Sequence, residues 1–123
     1  MGGADKKLIG RRGELLAAEY LKKKRYRIVG MNYACRLGEL DLIAENRDYV
    51  VFVEVKTRKD AAFSQAREAV TPAKQRRLVA AAQLWLQQNP TEKQPRFDVL
   101  EVYTGAGPEP RIVHIENAFG AAD

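Results

Sequence analysis

Two acids and a lysine, Asp41, Glu54 and Lys56, stand where their side chains could act together. Asp41 lies in Gly38-Glu39-Leu40-Asp41-Leu42-Ile43-Ala44, and the other two lie in Val53-Glu54-Val55-Lys56-Thr57-Arg58. Both segments are apolar enough to be strands, yet each carries acids that a plain core strand would lack. Strand side chains alternate between faces, so Glu39 and Asp41 share one face of the first segment, and Glu54 and Lys56 share one face of the second. The polar run Glu45-Asn46-Arg47-Asp48 between them predicts a turn and antiparallel pairing. In any register that pairs odd with even positions, Asp41 and Glu54 then look the same way. Two carboxylates and an ammonium converge, which is costly to bury without a metal or a tight ion-pair network. Either a divalent cation completes this cluster, or it is a cross-strand ion-pair network of an ordinary kind.

The elements that must position these groups can be read from the flanking pattern. Asp5 can cap a helix from about Lys6 to Arg25, with Ile9, Gly13, Leu16, Ala17, Tyr20 and Leu21 on one face. Lys22 to Arg25 fall in its last turn, where positive charge suits the helix dipole. Strands are expected over Tyr26 to Tyr33, Leu40 to Glu45 and Tyr49 to Thr57; the third is the most apolar and is expected to be central. Lys59 to Ser64 reads as a loop beside the charged strands. Thr71-Pro72 starts a second helix that Asn89-Pro90 stops. Arg96 to Tyr103 is a fourth strand, parallel to the third across that helix, and Arg111 to Glu116 is a short last one. Residues from Asn117 are expected to fray. The order predicts an α/β fold in which helices flank a mixed sheet.

The chain has 123 residues, 46% apolar and 30% charged, which fits one globular domain, residues 1–123 with a core of about 6–116. One cysteine, Cys35, excludes an internal disulfide framework and a cysteine-based zinc finger, and the lone His114 argues against a histidine-rich metal site. No membrane span or signal peptide is read, so a cytoplasmic protein is expected. The net charge is +5. Basic residues gather at Lys22–Arg27, at Lys56, Arg58 and Lys59, and at Lys74, Arg76 and Arg77, around strands that concentrate acids. A positive rim around an acidic pocket suits a polyanion whose backbone reaches a bound divalent cation.

Asp41 precedes Glu54 by thirteen positions, and Glu54-Val55-Lys56 forms an acid-x-lysine triplet. This spacing, in strand context, resembles the PD-(D/E)XK nuclease superfamily from Ile9 to about Val102. The wider wording resembles the YraN family of small, poorly characterised bacterial proteins: Gly10-Arg11-Arg12-Gly13-Glu14 with Ala17-Ala18, the two strand segments quoted above, and Arg96-Phe97-Asp98-Val99. That family is similar to the archaeal Holliday-junction resolvases. The resemblance implies a restriction-endonuclease-like αβββαβ core and a Mg²⁺- or Mn²⁺-dependent endonuclease acting on DNA, with structure-specific cutting of branched substrates in repair or recombination as one form and RNA left open. It implies that Asp41, Glu54 and the backbone carbonyl of Val55 hold the metal, and that Lys56 orients the attacking water and stabilises charge on the phosphate. Glu14 matches the first-helix glutamate that completes the metal site in resolvase-like members, and Gln75 resembles a polar helix residue near the site. Arg11, Arg12, Lys56, Arg58, Lys59, Lys74 and Arg77 are the expected nucleic-acid contacts. A homodimer follows by analogy with resolvases, whose two sites cut two strands. One departure is that Leu40, not proline, precedes Asp41; another is the extra acid Glu39.

Other readings stand beside this one. A nucleic-acid-binding module could keep the fold with little or no chemistry, and a subunit could be active only with partner proteins. Glu14 could be a surface residue paired with Arg11, and Gln75 a solvated helix residue. Asp98 is expected in a local hydrogen bond or salt bridge, Trp85 in the core, and Tyr103 and His114 as ordinary sheet residues.

Overall fold

The two acid-bearing strands lie side by side inside a five-stranded mixed sheet. The computed structural model describes residues 2–58, 70–105 and 107–120, with side chains from residue 10 onward. Its elements are α1 (Gly2–Lys23), β1 (Arg27–Cys35), β2 (Gly38–Glu45), β3 (Tyr49–Arg58), α2 (Pro72–Gln88), β4 (Gln94–Tyr103) and β5 (Arg111–Phe119). The strands follow one another across the sheet in chain order. β3 and β4 run parallel, joined through α2, and the other neighbours are antiparallel. This is the expected α/β architecture, consistent with a restriction-endonuclease-like core, with β3 at the centre.

The first half of β3 reads as a continuous apolar run because Val50 to Val53 are buried on both faces of the sheet. Val51 and Val53 join Leu42, Ala44, Leu100 and Val102 under Ala17, Ala18 and Leu21 of α1. Val50 and Phe52 join Ile43, Phe97 and Val99 under Leu78, Ala81 and Ala82 of α2. Each helix therefore covers one face of the sheet. The small residues of α1 let it lie close on β3: a Cβ added at Gly13 would fall 2.0 Å from Thr57 Oγ1. Gly38 meets a similar constraint at α2, where a Cβ would fall 2.9 Å from the Arg77 carbonyl oxygen.

The helix ends refine the expectation. α1 begins at Gly2, so Asp5 lies inside the helix rather than before it as its cap. It stops two residues early, at Lys23. The Arg25 N–H donates to the Lys22 carbonyl and the Tyr26 N–H to the Leu21 carbonyl, and Arg25 adopts a left-handed φ of 70°. This is a Schellman cap with arginine where glycine is usual. Tyr26 is spent on the cap, so β1 starts at Arg27. α2 starts and stops as expected: the Thr71 hydroxyl accepts the Lys74 N–H at 3.2 Å, and Asn89 donates to the Trp85 carbonyl from both its backbone and its side chain. β5 runs on to Phe119, beyond the expected fraying point, because Phe119 is buried and stacks on Phe97 at 5.1 Å between ring centres. Trp85 is only partly buried and packs edge-on against Phe52. Among the described residues, no helix is long and apolar enough to cross a membrane.

Candidate functional site

β2 and β3 pair from Glu45 opposite Val50 to Leu42 opposite Val53, and there the ladder stops. β2 stays paired with β1 down to Gly38, so its first half follows β1 away from β3. One step further in the same register, Asp41 stands against Glu54. The Val55 N–H, which would otherwise need a carbonyl on β2, donates to Asp41 Oδ2 at 2.8 Å. A side-chain carboxylate thus takes the place of the missing strand backbone and satisfies a donor that would be costly to leave unpaired.

The divergence opens a cleft on each side of the two acids. A cavity of about 600 Å³ lies toward α2, walled by Gly38, Glu39, Lys74 and Arg77. A second of about 380 Å³ lies toward α1, walled by Gly10, Glu14, Lys56 and Thr57. Asp41 and Glu54 line both. The parity reading of the strands therefore holds, since the two carboxylates face common space.

Glu54 is 6% exposed. Its Oε1 lies 2.6 Å from Lys74 Nζ and 3.3 Å from Lys56 Nζ, so two ammonium groups share one oxygen. Burial, and then the neighbouring Glu54 charge, push the Asp41 carboxyl up to about 7, against the pull of the Val55 N–H. Burial pulls the Lys56 ammonium down, and Lys74 beside it adds to the effect. Burial acts the same way on Lys74, but its contact with Glu54 prevails and the net direction is up. Glu14 is raised by burial, with Glu39 and Glu54 adding to it, while Asn32, held at a left-handed φ of 53° in β1, draws it down. The groups form one electrostatic unit in which both lysines sit on Glu54 while burial raises Asp41 and Glu14 beside it.

The other expected residues divide by position. Val55 lines the α1-side cavity and Arg77 the α2-side one. Arg11 and Arg12 are exposed on α1 beside Glu14. Arg58 closes β3, with its Nε buried and without a partner among the described residues. Lys59 and the loop expected at 59–64 lie outside the described residues. Gln75 does not join the acids. It is turned about 100° around the helix from Lys74, and its Nε2 donates to the Val70 carbonyl at 3.0 Å. Glu39 has no ion-pair partner among the described residues.

An all-oxygen donor set fits a hard cation better than a soft one. Among the described residues, no three His, Cys, Asp or Glu side chains gather closely enough to hold a metal. A cation here would rest on Asp41 and Glu54, with a backbone carbonyl such as that of Val55 and water completing its shell. That composition is usual for Mg²⁺, which keeps several waters beside one or two carboxylates.

Glu101 escaped the sequence reading, and so did the extent of the network around Asp98. Glu101 is 5% exposed and stands beside Lys56 in the β3–β4 ladder, on the face of the acids, with the Tyr103 hydroxyl donating to it. On the α1 face, the fully buried Asp98 accepts from Arg96 Nε at 2.9 Å and Nη2 at 2.8 Å, and from the Asn117 N–H at 3.0 Å; His114 Nε2 lies 2.6 Å from it. The salt-bridge expectation for Asp98 holds, but Tyr103 and His114 are network members rather than ordinary sheet residues. Tyr103 with Glu101 and Arg96 with Asp98 are i, i+2 pairs on one face of β4, which the two-residue strand period could have revealed. The places of Lys56 beside Glu101 and of His114 and Asn117 at Asp98 leave no local signal, because they depend on which strand neighbours which.

A family model described as uncharacterised protein family UPF0102 matches residues 13–102, a span that includes Glu14, Asp41, Glu54, Lys56 and Lys74. The chain is 45% identical to a UPF0102 protein of Geobacter sulfurreducens over 98% of this chain and 95% of that one. It is 44% identical to one of Caldanaerobacter subterraneus subsp. tengcongensis over 97% of this chain and all of the relative. A UPF0102 protein of Symbiobacterium thermophilum is 47% identical over 92% of this chain and 97% of its own length.

Proposed function

The chain belongs to the uncharacterised protein family UPF0102, the YraN grouping anticipated from its motifs, and from that premise we propose that it is a PD-(D/E)XK-type, metal-dependent nuclease hydrolysing phosphodiester bonds in DNA. One observation carries the reading: β2 leaves β3 at Asp41, which turns Asp41 and Glu54 onto the same two cavities while Lys56 stays on Glu54. A purely structural ion-pair network needs no such opening in the sheet.

Asp41 and Glu54 would hold Mg²⁺ or Mn²⁺ together with the Val55 carbonyl, and Glu14 faces the same cleft. When bound, the cation supplies charge stabilisation at the phosphoryl group and a more acidic water. The chain's own residues do the rest. The Asp41 carboxylate holds the Val55 amide and so fixes the strand end that carries Lys56. Lys56, desolvated and depressed in basicity, donates a hydrogen bond to the attacking water or to a phosphate oxygen. Arg77 lines the α2-side cavity with the acids and offers charge to a neighbouring phosphate, and Arg58 ends the strand that carries Glu54. Arg11 and Arg12 extend that surface along α1.

Purified protein incubated with Mg²⁺ or Mn²⁺ should cleave at least one form among linear, nicked, single-stranded and branched DNA. Asp41→Asn, Glu54→Gln and Lys56→Met should lose that cleavage with unchanged circular dichroism. Equal cleavage by all three variants overturns the proposal. A second reading draws on the two ammonium groups that neutralise Glu54 without a metal: a nucleic-acid-binding module that does no chemistry. Salt-sensitive binding with no metal requirement and no cleavage of any substrate would select it.

A further inference from the structure

We propose that Lys74 is an exchangeable counter-ion, which neutralises Glu54 until a divalent cation arrives and then turns to a substrate phosphate in the α2-side cavity. The inference rests on the metal-site reading of Asp41 and Glu54.

Glu54 Oε1 carries both ammonium groups, Lys74 at 2.6 Å and Lys56 at 3.3 Å. A Mg²⁺ ion bonds oxygen at about 2.1 Å. On this carboxylate it would lie within a few ångströms of a charge of the same sign, in a site with little water to screen the repulsion. One of the cations has to give way. Lys56 is confined: it projects from the β3–β4 ladder beside Glu101, and its side chain is 18% exposed. Lys74 has room, with a side chain 38% exposed and a cavity of about 600 Å³ beside it. Its backbone does not need to move, because the Lys74 N–H is held by the Thr71 hydroxyl at the helix cap.

The released side chain has a defined use. Arg77 lies three residues on along the same helix and lines the same cavity, so the two cations become neighbours on one face. They sit in the first turns of α2, where the helix dipole favours an anion. The opposite wall is fixed, since Gly38 fits against the Arg77 carbonyl with no space for a Cβ. With Lys74 engaged by Glu54, an anion entering this cavity meets the carboxylates of Glu39 and Asp41, and among the described lining residues Arg77 is the cation left to offset them. With the acids engaged by a divalent cation and Lys74 free, the same cavity suits a phosphodiester next to the one being cut. Metal and phosphate then bind cooperatively, and linkage makes the effect reciprocal.

The test compares wild type with Lys74→Met, Lys74→Gln and Lys74→Arg. In calorimetric titration of DNA-free protein with Mn²⁺, the Met and Gln variants should bind about tenfold tighter than wild type, equivalent to about 1.4 kcal/mol, while Lys74→Arg stays near wild type. In Mg²⁺ titrations followed by NMR, the Lys74 Cε signal of wild type should move toward the position of an unpaired lysine. Ca²⁺ should raise wild-type affinity for a short fluorescent duplex, and Lys74→Met should lose at least threefold of that gain. Mn²⁺ affinity that is equal or weaker in the Met and Gln variants, with wild type binding normally, overturns the exchange and leaves the metal site standing. A static Lys74 signal, or an unchanged Ca²⁺ gain in Lys74→Met, overturns it as well. No Mn²⁺ binding by any of the proteins removes the metal site and this inference together.

Discussion

The contact between Gly13 and Thr57 joins the helix that carries Glu14 to the strand that carries Lys56, and it makes an unusual prediction about sign. In an exposed helix interior, Gly→Ala stabilises by about 1 kcal/mol through helix propensity. Here the new Cβ would meet Thr57 Oγ1 at 2.0 Å, its Cβ at 3.2 Å and its Cγ2 at 3.4 Å. Turning Thr57 about χ1 does not free the space cheaply, because a β-branched side chain has few acceptable rotamers and the methyl is as large as the hydroxyl. The helix must shift or the threonine must leave its rotamer, and overpacking of this kind costs about 1–3 kcal/mol. Gly13→Ala should therefore destabilise the protein by up to about 2 kcal/mol once the propensity gain is subtracted. In a Thr57→Ala background the Oγ1 and Cγ2 contacts are gone, and the same substitution should be neutral or stabilising by up to about 1 kcal/mol. The coupling energy across the cycle is about 2 kcal/mol, well beyond the additivity error expected for independent sites. Urea unfolding of the four proteins at pH 7 measures it, with an unchanged m-value as the sign that the denatured state is not responsible. Stabilisation by Gly13→Ala in the wild-type background, or the same change in both backgrounds, would refute the close crossing of α1 and β3.

Three further outcomes are expected. The folded Asp41 carboxyl is raised to about 7, above its ordinary 3.8, so the folded state holds a proton that the unfolded chain has released; without divalent ions, stability should fall as pH rises through that window. In EDTA at pH 8, Asp41→Asn should be more stable than wild type by about 2–4 kcal/mol, with the difference gone at pH 4 in matched urea melts. Asp98→Ala strands Arg96 and His114 without their shared anion and should cost about 3–5 kcal/mol at pH 7 while Mn²⁺ affinity stays the same. Burial pushes Asp98 up, but His114, Arg96 and the Asn117 N–H hold it below its ordinary value, so the gap between wild type and variant should narrow as pH falls below the usual carboxyl range. Arg25→Gly relieves a left-handed φ of 70° and should stabilise by about 0.5–1 kcal/mol in thermal or urea unfolding.

Much of the fold was legible because local rules governed it. Thr71-Pro72 and Asn89-Pro90 set α2 to the residue, since a cap and a stop act through nearest neighbours. The apolar run at Tyr49 predicted a central strand, and β3 is buried on both faces. The errors lie where long-range packing overrode local signals. Asn117 looked like the start of a frayed tail, but its N–H is taken by Asp98 and the strand continues until Phe119 reaches Phe97. Gln75 was attached to the site by the family resemblance alone, and its side chain donates to the Val70 carbonyl.

The sequence by itself determined that Glu39 and Asp41 would share one face of their strand and Glu54 and Lys56 one face of theirs, while the common facing of Asp41 and Glu54 needed in addition a register that pairs odd with even positions. Two-residue periodicity is a property of any extended backbone, and it needs no knowledge of what the strand packs against. Only the tertiary structure decided where β2 leaves β3, that Lys74 joins Lys56 on Glu54, and that Glu101 stands beside Lys56. These depend on how closely α1 and α2 lie on the sheet and on which strands become neighbours. Such contacts join residues far apart in the chain, and their free energies are set by packing that no local pattern encodes.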